Sequence, residues 1–207
     1  MGASVADGLR FAGAVPAAGA SRRMGRPKAT LELEGRSFLR RVIEALQGGG
    51  CDPVLAVVAT SEARVCEEAE RIGVRTLVNP DPGEGPISSL RIALNALGPH
   101  VDGLVWLPLD HPLVTAGTVA TLIAEATRSN APLTLPVHDS KRGHPALFRS
   151  ALFPELLDPR LEGGARVVVH RHLEEARLVQ IAERGVIEDV DTPEAYARIR
   201  ATVERSA

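Results

Sequence analysis

At 207 residues the chain is long enough to bury one sizeable core, and its 44% hydrophobic and 24% charged residues are the balance of a globular protein. A formal net charge of −2 argues against general nucleic-acid or membrane-surface binding, and 3% aromatics leave no platform for stacking bases. Cys51 and Cys66 are too few and too far apart for a zinc cluster; they read as reduced thiols of a cytoplasmic protein, with a disulfide between them the alternative.

Residues 1–8 read as a flexible start. The first strand expected is "LRFAGAV". The apolar run from Phe11 to Ala20 follows Arg10 as in a short signal peptide, but it is too short to span a bilayer and is broken by Pro16 and two glycines. Next comes "PAAGASRRMGRPK" (16–28), in which small residues give way to Arg22, Arg23, Arg26 and Lys28. Gly and Ala let the backbone approach a ligand, and successive N–H groups can cup phosphate oxygens. The spacing fits neither a Walker A loop nor a G-x-G-x-x-G fingerprint. After Pro27, "KATLELEG" reads as extended, so no helix N-terminus faces an anion and side-chain cations must supply the charge. Arg23 and Lys28 are the candidates, and Arg22 and Arg26 are read as solvated. The alternative is a solvated basic surface loop.

Helical periodicity follows in "SFLRRVIEAL", then a strand in "PVLAVVAT", a helix in "SEARVCEEAERI" and a strand in "VRTLV". The Gly/Pro-rich "NPDPGEGPISSL" leads into a helix beginning near Ile87. Gly85 permits close backbone approach, and Ser88 and Ser89 put hydroxyls at that helix's start, suited to a base or ribose or simply to helix initiation. "DGLVWLPL" reads as a strand delivering Asp110 to its rim, with Thr115 able to cap the helix "AGTVATLIAEATR" in its place. "LPVHDSKRGHPALF" reads as two strand-like pieces forming a hairpin or edge addition, a wall of the site. His144 within it is most simply a packed structural histidine. His170 and His172 flank Arg171 on a helix and are expected to face solvent. A last strand, "GVIEDV", would deliver Asp191 ahead of the helix "TPEAYARIRATVE"; capping is the alternative role for this carboxylate.

Strand–helix alternation implies a mostly parallel sheet covered on both faces, a Rossmann-like three-layer α/β sandwich occupying the chain as a single domain. In such sheets ligands bind beyond the carboxyl ends of the strands. Four loaded loops each follow an expected strand, so they would meet at one rim. Magnesium is typically held by one or two carboxylates plus phosphate oxygens, which suits Asp110 and Asp191 facing a cationic loop.

The stretch "AAGASRRMGRPK" resembles the L-A-A-G-x-S-x-R-M-G-x-x-K signature of the molybdenum cofactor nucleotidyltransferase-like family, and the likeness runs on through "NPDPGEGPISSL", "LPLDHPLV", "RGHPALF", "GGAR" and "DVDTPEAY". The resemblance implies a fold of the nucleotide-diphospho-sugar transferase type and a magnesium-dependent nucleotidyltransferase. Its donor would be CTP, since guanylyl-transferring relatives carry A-G-G where Ala17, Ala18 and Gly19 stand, and its acceptor a phosphorylated small molecule such as molybdopterin cofactor. It implies that Ala17, Ala18 and Gly19 meet the nucleotide through backbone, that Arg23 and Lys28 bind phosphates, and that Asp110 and Asp191 hold Mg2+. Gly85 and Ser89 would lie against base and ribose, Asn79 and Pro80 would form the neighbouring wall, and His144 and Arg166 would belong to the acceptor side. Departures are Val15-Pro16 in the first strand, which removes one backbone donor, His111 where Gln or Met is commoner, and a loose "LEGGAR".

The chemistry expected is attack by the acceptor's terminal phosphate on the α-phosphorus, with release of pyrophosphate. A phosphate monoester has a second pKa of about 6 and is already anionic at neutral pH, so no side-chain base is required. The alternatives are a guanylyl or other donor, a sugar- or alcohol-phosphate acceptor, or a nucleotide-binding module without turnover. A monomer is the default expectation, with neither nucleic acid nor membrane as partner.

Overall fold

The sheet is built outward from the small-residue run Phe11–Ala17 (β1), which is flanked on both sides by parallel neighbours. The computed structural model describes residues 8–19 and 22–204, so the expectation for the first residues lies outside them except at Gly8. In spatial order the strands are β10 (Arg177–Gln180), β7 (Leu133–His138), β9 (Ala146–Arg149), β6 (Gly103–Trp106), β1, β4 (Val54–Ala59) and β5 (Arg75–Asn79), with β8 (Lys141–Arg142) folded back onto β7. A separate two-stranded ribbon joins β2 (Glu32–Leu33) to β3 (Arg36–Ser37).

Alternate residues of β1 and β4 explain the layers, because side chains along a strand point to opposite faces. Phe11, Val15, Ala56 and Val58 pack on one face with α1 (Phe38–Gly48), α2 (Ala63–Ile72) and α4 (Ala116–Arg128). Ala12, Ala14, Leu55 and Val57 pack on the other with α3 (Pro86–Asn95), α5 (Phe153–Leu157) and α6 (Ala165–Arg171). Strands buried on both faces read as continuous apolar runs, which is why "PVLAVVAT" was recognisable. The apolar run after Arg10 is therefore sheet core, and among the described residues no helix is long and apolar enough to cross a membrane.

A third, smaller cluster matters most for the site. Met24, Leu31, Leu33 and Phe38 pack against Val190 and against Ala195 and Ile199 of α7 (Pro193–Glu204). Side chains within and just after the basic loop are thus locked to the far end of the chain, each buried Leu contributing about 2 kcal/mol by removing its surface from water.

Four expectations are corrected. "GVIEDV" is not a strand: Arg184–Val186 is a 3-10 turn and the chain stays irregular to Asp191, while the strand lies one segment earlier at β10. Its apolar residues satisfy burial by loop packing, Gly185 against Leu113 and Val190 in the small cluster. β10 is an edge strand whose central Val179 alone is buried, so it carries almost no apolar signal. The "HPALF" piece is not an edge addition, since β9 inserts between β6 and β7, antiparallel to both. "KATLELEG" opens with a 3-10 turn at Lys28–Thr30 before it extends. His172 is half-buried and its Nε2 lies 2.8 Å from Glu155 Oε2; His170 is exposed. Both cysteines are free, and burial pushes the Cys51 thiol up to about 12, so it is an inert packing group.

Candidate active site

The carboxyl ends of β1, β5 and β6 open onto a cavity of about 720 Å³. Its walls include Ala18, Gly19, Arg23 and Lys28 from the first loop, Gly85 and Ser89 at the start of α3, and Asp110 after β6. Asp191 joins them, although no strand delivers it. Three contacts do so instead. Val190 N–H donates to the Asp110 carbonyl at 2.8 Å, Val190 is buried in the small cluster, and Thr192 Oγ1 accepts from Ala195 N–H at 3.2 Å. Because Thr192 caps α7, the Asp191 carboxylate is released from that duty.

That carboxylate gathers the cations. Arg23 Nη2 donates to Asp191 Oδ2 at 2.5 Å and Lys28 Nζ donates to Asp191 Oδ1, while Lys28 Nζ also lies 3.8 Å from Asp110 Oδ2. Burial alone would raise the Asp191 carboxyl; the hydrogen bond and charge of Lys28, together with Arg23, outweigh it and hold the group below the ordinary carboxylate range. Asp110 Oδ1 is buried with no hydrogen-bond partner, and His111 Nε2 lies 4.0 Å from it. An orphaned buried carboxylate oxygen is costly and marks a place where a cation would be stabilised. Among the described residues no group of three or more His, Cys, Asp or Glu side chains forms a metal cage. Two carboxylates with open coordination positions fit a hard divalent ion that completes its shell with phosphate oxygens and water.

The remaining predicted residues fall into two groups. Ala18, Gly19, Gly85, Ser89 and His144 line the cavity. Ala17 is buried in β1 opposite Val58, and Pro16 lines the cavity in its stead. Asn79 is only 1% exposed and serves as a brace: its Nδ2 donates to Ser88 Oγ at 2.8 Å and Ser89 Oγ at 3.0 Å, and its Oδ1 accepts from Asp81 N–H at 3.0 Å. Neither Asn79 nor the exposed Pro80 forms a wall; they shape the turn that presents Gly85, whose φ of 88° suits glycine. Arg166 lines a second cavity of about 580 Å³, separated from the first by Pro86 and Trp106, which border both. His144 and Arg166 are therefore not brought together.

Sequence reasoning passed over Trp106, the chain's single tryptophan at the end of β6, which was a usable signal. It also passed over Glu183, for which no local signal exists. Its carboxylate accepts from Thr115 N–H at 2.9 Å, Thr115 Oγ1 at 2.6 Å and Thr118 Oγ1 at 2.8 Å, fastening the segment before Asp191 to the start of α4.

His144 is held by a bond from its backbone N–H to the Val186 carbonyl at 2.7 Å, while its ring, 4.8 Å from that of His111, has a buried Nδ1 without a hydrogen-bond partner. Burial, and secondarily the charge of His111, lowers it from 6.5 to about 3. The unfolded chain therefore takes up a proton near pH 6.5 that the folded protein refuses until far lower pH. Stability is complete above that point and falls with acidification at up to about 1.4 kcal/mol per pH unit. Urea unfolding as a function of pH is expected to show this decline, and His144→Gln to flatten it.

The family model described as the MobA-like NTP transferase domain matches residues 13–176. The chain belongs to the MobA-like NTP transferase family. It is 29% identical over 195 residues to a nicotine blue oxidoreductase of Paenarthrobacter nicotinovorans, covering 90% of this chain and 95% of that one. It is likewise 29% identical over 164 residues to a probable molybdenum cofactor guanylyltransferase of Mycobacterium avium (strain 104), covering 78% and 80%. The structure of Rv0371C in complex with manganese, from Mycobacterium tuberculosis H37Rv, superposes with a TM-score of 0.77 at 24% identity over 94% and 100% of the two chains, a likeness of fold. This MobA-like NTP transferase is a nucleotidyltransferase, and enzymes of its family use a divalent metal.

Proposed function

We propose that the protein transfers CMP from CTP to a phosphorylated small-molecule acceptor such as molybdopterin cofactor, with Mg2+ and release of pyrophosphate, acting as one NTP-transferase domain in the cytoplasm. The observation that carries the reading is the meeting of Arg23 and Lys28 with Asp110 and Asp191 in one cavity whose other walls are backbone-rich: Ala18, Gly19, Gly85 and Ser89. A phosphate oxygen of the acceptor attacks the α-phosphorus, the bond to the bridging oxygen breaks, and pyrophosphate leaves with that electron pair. The acceptor phosphate is anionic at neutral pH, so the residues' work is positioning and charge stabilisation, not proton abstraction. Lys28 and Arg23 stabilise charge growing on the departing pyrophosphate. Asp110 and Asp191 would hold the divalent ion, which neutralises and polarises the phosphates.

The CTP preference rests on Ala18, which is buried at the cavity wall and stands where the family resemblance implies glycine in guanylyl-transferring relatives. A methyl in place of that glycine would leave less room in the cavity, which favours the smaller pyrimidine. Thermal unfolding with each triphosphate plus magnesium tests this directly, because a bound ligand raises apparent stability. CTP is expected to give the largest shift; a larger shift with GTP, the donor implied by the name of the M. avium relative, overturns the donor assignment. A second reading, an electron-transfer reaction, is favoured by the oxidoreductase that matches over 90% of the chain. Pyrophosphate release over a panel of triphosphates and phosphorylated acceptors separates the two, since only nucleotidyl transfer produces it.

A further inference from the structure

We infer that Lys28, seconded by Arg23, occupies the place of the divalent ion between Asp110 and Asp191 and so keeps the carboxylate pair from binding metal until a triphosphate draws both cations away. The inference rests on the assignment of those two carboxylates as the metal pair. The Lys28 ammonium is hydrogen-bonded to Asp191 Oδ1 and stands 3.8 Å from Asp110 Oδ2. An ion bound to both carboxylates at about 2.1–2.5 Å would fall against that ammonium. Metal and Lys28 in its present position exclude one another.

The charges say the same. Two carboxylates and two cations make a neutral group, and three of its four members are shielded: the side chains of Lys28, Asp191 and Asp110 are only 17%, 19% and 26% exposed, while Arg23 reaches in from solvent. A divalent ion arriving alone would leave uncompensated positive charge in a partly desolvated site, where Coulomb terms are several times stronger than in water. A triphosphate reverses the balance by offering Arg23 and Lys28 new anionic partners, which frees Asp191 for the ion. Asp110 Oδ2, the oxygen that faces Lys28, loses only a contact at 3.8 Å when the ammonium leaves, while Oδ1 of the same carboxylate is buried without a hydrogen-bond partner. Metal and nucleotide therefore bind with positive coupling, and by linkage each strengthens the other by the same factor.

Mn2+ alone, with the free ion followed by electron paramagnetic resonance, is the probe. Lys28→Met is expected to bind Mn2+ without nucleotide on the order of tenfold more tightly than the wild type, the direction set by removing a positive charge from beside the ion. Lys28→Arg keeps the charge and is expected to stay weak. Arg23→Gln, at a side chain 72% exposed and so harmless to folding, is expected to give an intermediate gain. The gain of Lys28→Met is expected to vanish when Asp191→Asn is added. If neither Lys28→Met nor Arg23→Gln tightens Mn2+ binding while Asp191→Asn weakens it, the exclusion by Lys28 is wrong and the metal assignment stands. If the gain survives Asp191→Asn, the ion binds elsewhere and both fall.

Discussion

Lys28→Ala and Asp110→Ala are each expected to lower the rate of pyrophosphate release by at least about a hundredfold, on the order of 3 kcal/mol of lost transition-state stabilisation. The reason is geometric. Lys28 Nζ stands between both carboxylates, so its removal takes away a group well placed to meet charge on the leaving phosphates. Asp110 is fixed by its own backbone, its carbonyl accepting from Val190 N–H, so alanine there deletes the carboxylate without dismantling the loop. The informative control is Arg26→Ala. Arg26 lies over the Tyr196 ring at 5.4 Å and is absent from the cavity wall, so near-normal turnover is expected although the same kind of charge is lost from the same loop. A Lys28→Ala enzyme that turns over normally, measured under saturating triphosphate and acceptor, would contradict the phosphate role. Combined with the Mn2+ measurement the variant is doubly diagnostic, because catalysis falls while metal affinity in the absence of nucleotide rises. A merely structural lysine would not move the two in opposite directions.

What could be read from the sequence divides along a physical line. β1, β4 and β6 were legible because strands buried on both faces have no choice but to be apolar, and Asp110 was legible because it follows one of them, four residues beyond the end of β6. Thr115 was legible as the cap of α4, its Oγ1 accepting from Thr118 N–H at 3.4 Å. Asp191 was picked out through a strand that does not exist. What puts it in the cavity is packing of Val190 against Met24, Leu31 and Phe38, more than 150 positions away in the chain, and periodicity does not report contacts of that range. Asn79 shows the converse failure. The family resemblance implied a wall of the site there, whereas its buried amide is spent on Ser88, Ser89 and Asp81. An amide that must satisfy its hydrogen bonds inside the protein is a brace, and only the burial distinguishes the two roles.

Gly143→Ala is expected to destabilise the fold by about 3 kcal/mol or more, since overpacking against backbone cannot be relieved by a rotamer. A Cβ at Gly143 would stand 2.0 Å from the Val186 carbonyl oxygen and 2.6 Å from its carbon. The collision falls on a joint of the site. Gly143 N–H donates to the Pro136 carbonyl at 3.0 Å, fixing it to β7, and the next residue donates to the same Val186 carbonyl that the methyl would strike. The segment must then move away from β7. Gly185 packs so closely on Leu113, with 2.8 Å to a Cβ built there, that the shift is passed to the loop carrying Asp110. At the other end it reaches Val190 and Asp191. Thermal unfolding is the measure, with a fall of roughly 6–12 °C expected for a chain of this size. Gly98→Ala, where nothing lies within 4 Å of the added carbon, serves as the comparison and is expected to leave the midpoint in place. Because the displaced segment carries Asp191, Gly143→Ala should also lose turnover at temperatures where it remains folded. A folded Gly143→Ala enzyme with full activity would mean that the 183–191 segment is held without this joint, and that Asp191 is placed by the small apolar cluster alone.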